Sequence, residues 1–158
     1  MGYMGTARAY RNLIALLEGI NGTTGGYYTD LSGRVYRRLL TPADLKLAKP
    51  YVCVVMTGQD FDYREDEGRG FRLHWELEIF GFVDETINTE VHGVAGENTL
   101  NLHDDIVKAW FADQTLGGAA NQTFLKGGGA IAGMDEKYGE LQMRVEIVQW
   151  LTPEGIGP

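Results

Sequence analysis

The chain has 158 residues, with 22 acidic and 14 basic side chains, and its formal net charge is −8. This length fits one domain with its own core, and the acidic balance argues against a surface that grips free nucleic acid. A hydrophobic fraction of 44% excludes a wholly disordered chain, and the single cysteine, Cys53, excludes a disulfide framework.

The first predicted element is an amphipathic helix over residues 6–20. Its apolar side chains recur at helical spacing on one stripe, at Tyr10, Leu13, Ile14, Leu17 and Ile20. Thr6 is the predicted N-cap, and Gly19 or Gly22 is expected to end the helix.

Three strands are predicted in the next part of the chain. Residues 34–40 alternate loosely, and the apolar run 51–56 after Pro50 fits a central strand. Residues 71–79 alternate strictly, which places Phe71 and Trp75 on one face and His74 on the other. The last of these is therefore predicted to be a half-buried strand.

A second helix and a last strand are predicted in the C-terminal half. Asn101 is the expected N-cap, with Asp104 and Asp105 in the first turn, where the helix dipole favours negative charge. The pair Gly117-Gly118 is expected to stop the helix. Residues 139–151 alternate again and predict a long strand with one face towards the core.

The order of these elements predicts the fold class. Strands are grouped rather than alternating with helices, which favours α+β, with a mostly antiparallel sheet of about four to six strands and two main helices packed on one face. We expect a single domain over residues 1–158, plus Gly-rich loops or arms. No apolar run approaches bilayer length and no signal peptide pattern is present, so a soluble, intracellularly made protein is expected.

Glycine accounts for 22 residues and collects between the periodic segments. The two densest regions are 19–33 and 117–138, both predicted to be flexible. A connection as long as the second is unusual inside a domain and is commonly functional or ordered on binding.

The sequence contains only weak candidates for catalytic, metal-binding or phosphate-binding motifs. Gly127-Gly128-Gly129 follows Lys126 and does not form a phosphate-binding loop. The acidic stretch 60–67 could attract calcium but lacks the spacing of a calcium loop, so a solvated loop is the preferred interpretation. His74, Glu76 and Glu78 share a strand face, as in a glycosidase, but polar residues on one strand face are ordinary. We therefore predict no enzyme, no metal site and no cofactor.

The aromatic residues favour core and interface roles. Trp75, Trp110 and Trp150 occupy apolar positions of three elements and suit one shared core. A stacking platform for nucleic acid would need basic residues between these rings, but Glu76, Glu78 and Glu146 are found there.

Taken together, five segments resemble the tail terminator (tail completion) proteins of long-tailed bacteriophages. They are the helix 9–20, the strand 50–56, the strand 73–79, the segment 102–118 and the strand 145–150. The most telling is a helix of the type Asp-Ile-x-x-Ala-x-x-x-Asp-x-Thr-Leu-Gly-Gly, here Asp105, Ile106, Ala109, Asp113, Thr115, Leu116, Gly117 and Gly118. The resemblance covers about residues 6–151.

This resemblance implies a structural virion protein, assembled in the host cytoplasm and located at the head-proximal end of the tail. Such subunits form a ring, usually a hexamer, that caps the tail tube, ends its polymerisation and provides the docking surface for the head or neck. The implied partners are other copies of the chain, the tail tube protein and a neck or connector protein. DNA is only passing cargo, no membrane is involved, and no catalytic residues are implied.

The residues expected to contact neighbours or face the channel lie in the acidic stretch and the Gly-rich region. They are Asp60, Asp62, Glu65, Asp66, Glu67, Gly127, Gly128 and Gly129. A negative surface would keep passing DNA from sticking, and Gly-rich segments could order on assembly. The alternatives are another tail or neck component (tube, stopper or connector subunit), or a small ligand-binding domain or enzyme.

Overall fold

The computed structural model describes residues 5–39, 47–62, 70–84, 97–127, 132–133 and 138–152. Two helices and six strands lie in these ranges. In chain order they are α1 (Thr6–Glu18), β1 (Val35–Tyr36), β2 (Tyr51–Asp62), β3 (Phe71–Asp84), α2 (Glu97–Ala112), β4 (Gln122–Gly127), β5 (Ala132–Gly133) and β6 (Tyr138–Leu151).

The strands form one six-stranded sheet in the order β1-β2-β3-β6-β4, with β5 also paired to β6. Only the β1–β2 pair is parallel. The long strands β3 and β6 pair along their whole lengths, from Phe71 opposite Leu151 to Asp84 opposite Tyr138. The predicted α+β class with a mostly antiparallel sheet is confirmed.

Both helices pack on the same face of the sheet, as predicted. On β3 the residues facing the helices are buried and those on the second face, opposite the helices, are half-buried. The strict alternation of the sequence is the cause, because burial of alternate apolar side chains removes one face from water. The buried residues of β3 and β6 include Leu73, Trp75, Leu77, Ile79, Leu141, Met143, Val145 and Ile147.

The start of α1 differs from the prediction. Gly5 is the N-cap, and no side-chain hydrogen bond caps this end, so the assignment of Thr6 as N-cap was wrong. Gly19 is the C-cap, as expected. Four predicted stripe residues (Leu13, Ile14, Leu17 and Ile20) are buried, whereas Tyr10 is half-buried.

Helix α2 begins at Glu97, not at Asn101, and it ends at Ala112, before the predicted glycine stop. Asp105 is therefore a mid-helix residue and is only 1% exposed. Its carboxylate accepts the Tyr28 N–H at 3.0 Å, and the Thr29 N–H and hydroxyl at 2.7 and 2.6 Å. The prediction that Asp104 and Asp105 lie in the first turn of the helix was therefore wrong. Asp105 anchors a distant loop instead of stabilising the start of its own helix.

The Gly-rich segment 19–33 is held by this anchor and by its own hydrogen bonds. The Asn21 side chain accepts the N–H groups of Thr23 and Thr24, and Leu31 is fully buried. The Leu31 N–H donates to the Ile20 carbonyl at 2.6 Å. The predicted flexibility of this segment stays a prediction.

The second Gly-rich region contains a strand that was not predicted. β4 lies inside 117–138 and pairs with β6, from Gln122 opposite Val148 to Gly127 opposite Met143. Before it, Leu116, Gly117 and Gly118 all have positive φ angles of 52°, 66° and 80°. This left-handed turn is the reason for two adjacent glycines, because residues with a Cβ rarely adopt that conformation.

Three further predictions need correction. β2 runs to Asp62, so the first part of the acidic stretch is strand rather than loop. The predicted strand 34–40 is reduced, within the described residues 34–39, to Val35–Tyr36. Trp150 does not share the core of Trp75; it lies on the second face, where the Arg72 guanidinium is 5.6 Å from its ring centre.

Candidate assembly surface

The structure places the predicted contact residues at opposite ends of the sheet. Asp60 is exposed near the end of β2, opposite His74, and Asp62 is the last residue of that strand. Gly127 is the exposed last residue of β4. The remaining candidates, Glu65, Asp66, Glu67, Gly128 and Gly129, lie outside the described residues. The described candidates on β2 and on β4 are thus not brought together within one chain.

Among the described residues, the outer edge of β2 is covered only at its beginning. β1 pairs with Val52 and Cys53, and the carbonyl of Val54 accepts a hydrogen bond from the Tyr10 hydroxyl at 2.9 Å. Beyond Val54, no described strand lies beside β2. A bulge between Met56 and Gly58 interrupts the strand's pairing with β3. Bulges are one of the ways in which proteins limit uncontrolled pairing at an edge.

An apolar groove of about 440 Å³ lies between α1 and this edge. Met56 is 50% exposed, although its neighbours on the same face of the sheet, Trp75 and Leu77, are buried. Arg37 borders the groove, with its guanidinium 5.9 Å from the Tyr10 ring centre. The remaining lining residues are Thr6, Ala7, Val54 and Val55.

The other end of the sheet is the outer edge of β4. No described strand lies beside it, and its six residues contain neither proline nor a register shift against β6. Phe124 on the second face is 40% exposed, and Phe111 at the end of α2 is 64% exposed. Exposed aromatic side chains beside an unpaired strand edge are typical of a surface that contacts another protein.

An ion cluster lies on the second face, formed by His74, Glu76, Lys126, Arg144 and Glu146. The Lys126 ammonium contacts the carboxylates of Glu146 and Glu76, the latter at 3.6 Å. Arg144 lies 3.8 Å from Glu76, and His74 lies 3.2 Å from Glu146. Two of the three residues considered for glycosidase chemistry, His74 and Glu76, therefore take part in side-chain contacts that join β3, β6 and β4.

The ion cluster gives a pH-dependent prediction. The hydrogen bond from Lys126 holds the pKa of the Glu146 carboxyl below its usual value, and raises the pKa of Lys126 itself. A carboxyl with a lowered pKa stabilises the fold above its unfolded pKa and loses that contribution as the pH falls through its folded pKa. Lys126→Met should therefore lower the urea midpoint at pH 7, and the difference from wild type should shrink below about pH 4.5.

Lys108→Met is the matched control for this experiment. The Lys108 ammonium contacts the Gly26 carbonyl and the Tyr27 ring, and neither contact involves a carboxylate. Its effect on the urea midpoint should stay constant over the same pH range. A Lys126→Met difference that does not change with pH would contradict the assigned ion pair.

No helix among the described residues is long and apolar enough to cross a membrane. The described residues also contain no group of three or more His, Cys, Asp or Glu side chains arranged to hold a metal ion. The chain matches no protein-family model and no curated protein.

Sequence reasoning missed the residues that mark the two edges. Met56 looked like an ordinary apolar strand residue, and Phe124 fell in a region predicted to be a loop. The sequence does not show that the strands carrying these residues have uncovered edges. The strand-favouring residues Thr123 and Phe124 inside the Gly-rich region were the available, weak signal for β4.

Proposed function

We propose that the protein is a structural virion component that caps the head-proximal end of a bacteriophage tail tube as a ring. The ring ends tube polymerisation and provides the docking surface for the head or neck. The partners in this proposal are further copies of the chain, the tube protein and a neck or connector protein, with DNA passing through the ring.

The observation that carries the proposal is the pair of unlike edges at the two ends of one sheet. A ring of identical subunits needs two different surfaces on each copy, because each copy contacts its two neighbours through different sides. The described part of β2 beyond Val54 and the outer edge of β4 supply two such surfaces. Exposed apolar side chains, Met56 and Phe124, lie beside them.

The resemblance to tail terminators gives independent support. Its five segments fall on α1 and the residues after it, β2, β3, α2 with the following turn, and β6. The net charge of −8 also suits a ring through which DNA must pass without adhering.

Electron microscopy of phage particles lacking this protein tests the proposal. Loss of a terminator should leave overlong tails or tails without heads, and supplying the protein in trans should restore normal particles. Complete absence of tails would contradict the terminator role and favour the alternative of a tube subunit. Normal-length tails that leak DNA at the neck would favour a stopper or connector.

The mass of the purified protein in solution tests the ring itself. Native mass spectrometry with and without purified tail tubes should detect a closed oligomer in at least one condition. A chain that stays monomeric in both would contradict every ring assignment.

A further inference from the structure

Resting on the ring proposal, we infer that each copy adds its β4 edge to the β2 edge of the next copy, so that one antiparallel sheet continues across the subunit boundary. The partner is a second copy of this chain. The contact surface consists of residues 122–127 on one side and residues 55–60 on the other.

Strand direction is the first argument. Along the path β2-β3-β6-β4 every neighbouring pair is antiparallel, so β4 runs opposite to β2. When a second copy is placed beside the first with its helices on the same face, its β4 meets β2 in the antiparallel sense. The joint then has the same hydrogen-bonding pattern as the rest of the sheet.

The side chains fit the same arrangement. Gly58, Glu76, Glu146 and Phe124 form one transverse row on the second face. A Cβ built on Gly58 would meet no atom within 4 Å, which leaves free space above this glycine. The Phe124 ring of the neighbouring copy can cover it, a known way of stabilising an edge glycine. In this register Gln122 lies opposite Asp60.

The helix face also contributes to the joint. The groove between α1 and β2 opens next to residues 54–56. An added β4 would bring Leu125, on its helix face, to the side of the joint on which Met56 is half-exposed. Phe111 follows Trp110, whose indole N–H donates to the Thr123 hydroxyl of β4, and it is exposed. The apolar surface of both edges is thus removed from water in one contact, which is the main source of favourable free energy in such interfaces.

The bulge in β2 gives this contact its selectivity. An unprotected edge strand is a template for pairing with other chains, whereas a bulge disrupts the regular ladder and so disfavours a partner that offers main-chain hydrogen bonds alone. In the assembled form the outer edge of β4 and the edge of β2 beyond Val54 cover each other at every subunit boundary of a closed ring.

Disulfide trapping tests the joint directly. The double variant Gln122→Cys with Asp60→Cys should form a ladder of covalent multimers under mild oxidation, and reductant should remove it. Residues directly opposite each other in antiparallel strands lie close enough for a disulfide. Each single variant, and the pair Gln122→Cys with Glu18→Cys on the exposed side of α1, should give no ladder; the native Cys53 is buried.

A second variant tests the same contact without cysteines. Phe124→Lys places a cation opposite Glu146 of its own sheet, so the fold should be retained by circular dichroism. The apparent dissociation constant of the oligomer should rise about tenfold or more, since aromatic anchors dominate most interfaces. Tyr28→Lys, at another exposed aromatic position, should leave it unchanged.

The outcomes separate this inference from the proposed function. An oligomer that forms without the ladder, and that Phe124→Lys does not weaken, would overturn the β4–β2 joint while leaving the ring proposal intact. A chain that remains monomeric with tail tubes present would overturn both. A ladder that also appears with Glu18→Cys would show random collision and count against the joint.

Discussion

Asp105→Ala should destabilise the protein by about 3 kcal/mol or more. The Asp105 carboxylate is buried in the middle of α2 and accepts hydrogen bonds from Tyr28 and Thr29, some 76 residues away in sequence. Hydrogen bonds to a charged group contribute about 1.5 to 3 kcal/mol each, and their loss leaves polar groups of the loop without a partner. Urea unfolding at neutral pH measures the effect.

The neighbouring aspartate supplies a matched control. Asp104 has the same side chain one position earlier, but it is 68% exposed and contacts only the adjacent His103 in the described hydrogen-bond pattern. Asp104→Ala should change the free energy of unfolding by no more than about 0.5 kcal/mol. Equal effects of the two substitutions would show that Asp105 does not anchor the loop.

The second large effect is expected for Gln149→Leu. Gln149 is fully buried; its carbonyl oxygen accepts the Trp75 indole N–H at 2.9 Å and its amide donates to the Ala119 carbonyl at 2.7 Å. Leucine keeps the volume but leaves both groups unpaired in the core. We expect a loss of about 2 to 5 kcal/mol, because each buried unsatisfied group costs about 1 to 3 kcal/mol. Thermal and urea unfolding measure it.

A double-mutant cycle isolates the Trp75–Gln149 hydrogen bond. Trp75→Phe removes the indole donor, so adding Gln149→Leu in that background should cost about 1 kcal/mol less than it does in the wild type. Gln142→Leu on the second face of the same strand is half-buried and should have little effect. Strict additivity of the two core substitutions would contradict the assigned hydrogen bond.

The parts of the fold that the sequence predicted well are those where one strong signal dominates. The alternation of residues 71–79 and 139–151 and the helical stripe of residues 6–20 arise from burial of a single face, which needs no knowledge of the neighbouring elements. The α+β class followed from the order of these segments.

The errors occurred where a residue's partner is distant in sequence. Asp105 was placed in a first helical turn because its true partners, at Tyr28 and Thr29, could not be inferred from local spacing. β4 was overlooked because its burial depends on pairing with β6 rather than on its own pattern. Trp150 was assigned to the shared core because it is a large apolar residue at the end of a predicted strand. The pairing of β3 with β6 places it opposite Arg72, on the second face.

The candidate surface was even less predictable than the fold. Asp60 and Gly127 were selected for charge and glycine content, and they lie on β2 and β4, the strands whose edges are uncovered by other described strands. The exposure of Met56 and Phe124 gave no signal, because it depends on which strand edges stay uncovered, whereas Phe111 was among the aromatic residues assigned to core or interface roles.

The pairing of β3 with β6 also has a consequence for how the chain acquires its structure. The two strands at the centre of the sheet are separated by more than fifty residues, and every pairing between them is long-range. During synthesis β3 leaves the ribosome before β6. The edge of β3 that pairs with β6 therefore stays uncovered until β6 has been made. Such non-local topologies fold slowly and expose strands that can aggregate. Newly made chains therefore depend on rapid completion of β6 to avoid aggregation through the uncovered strand.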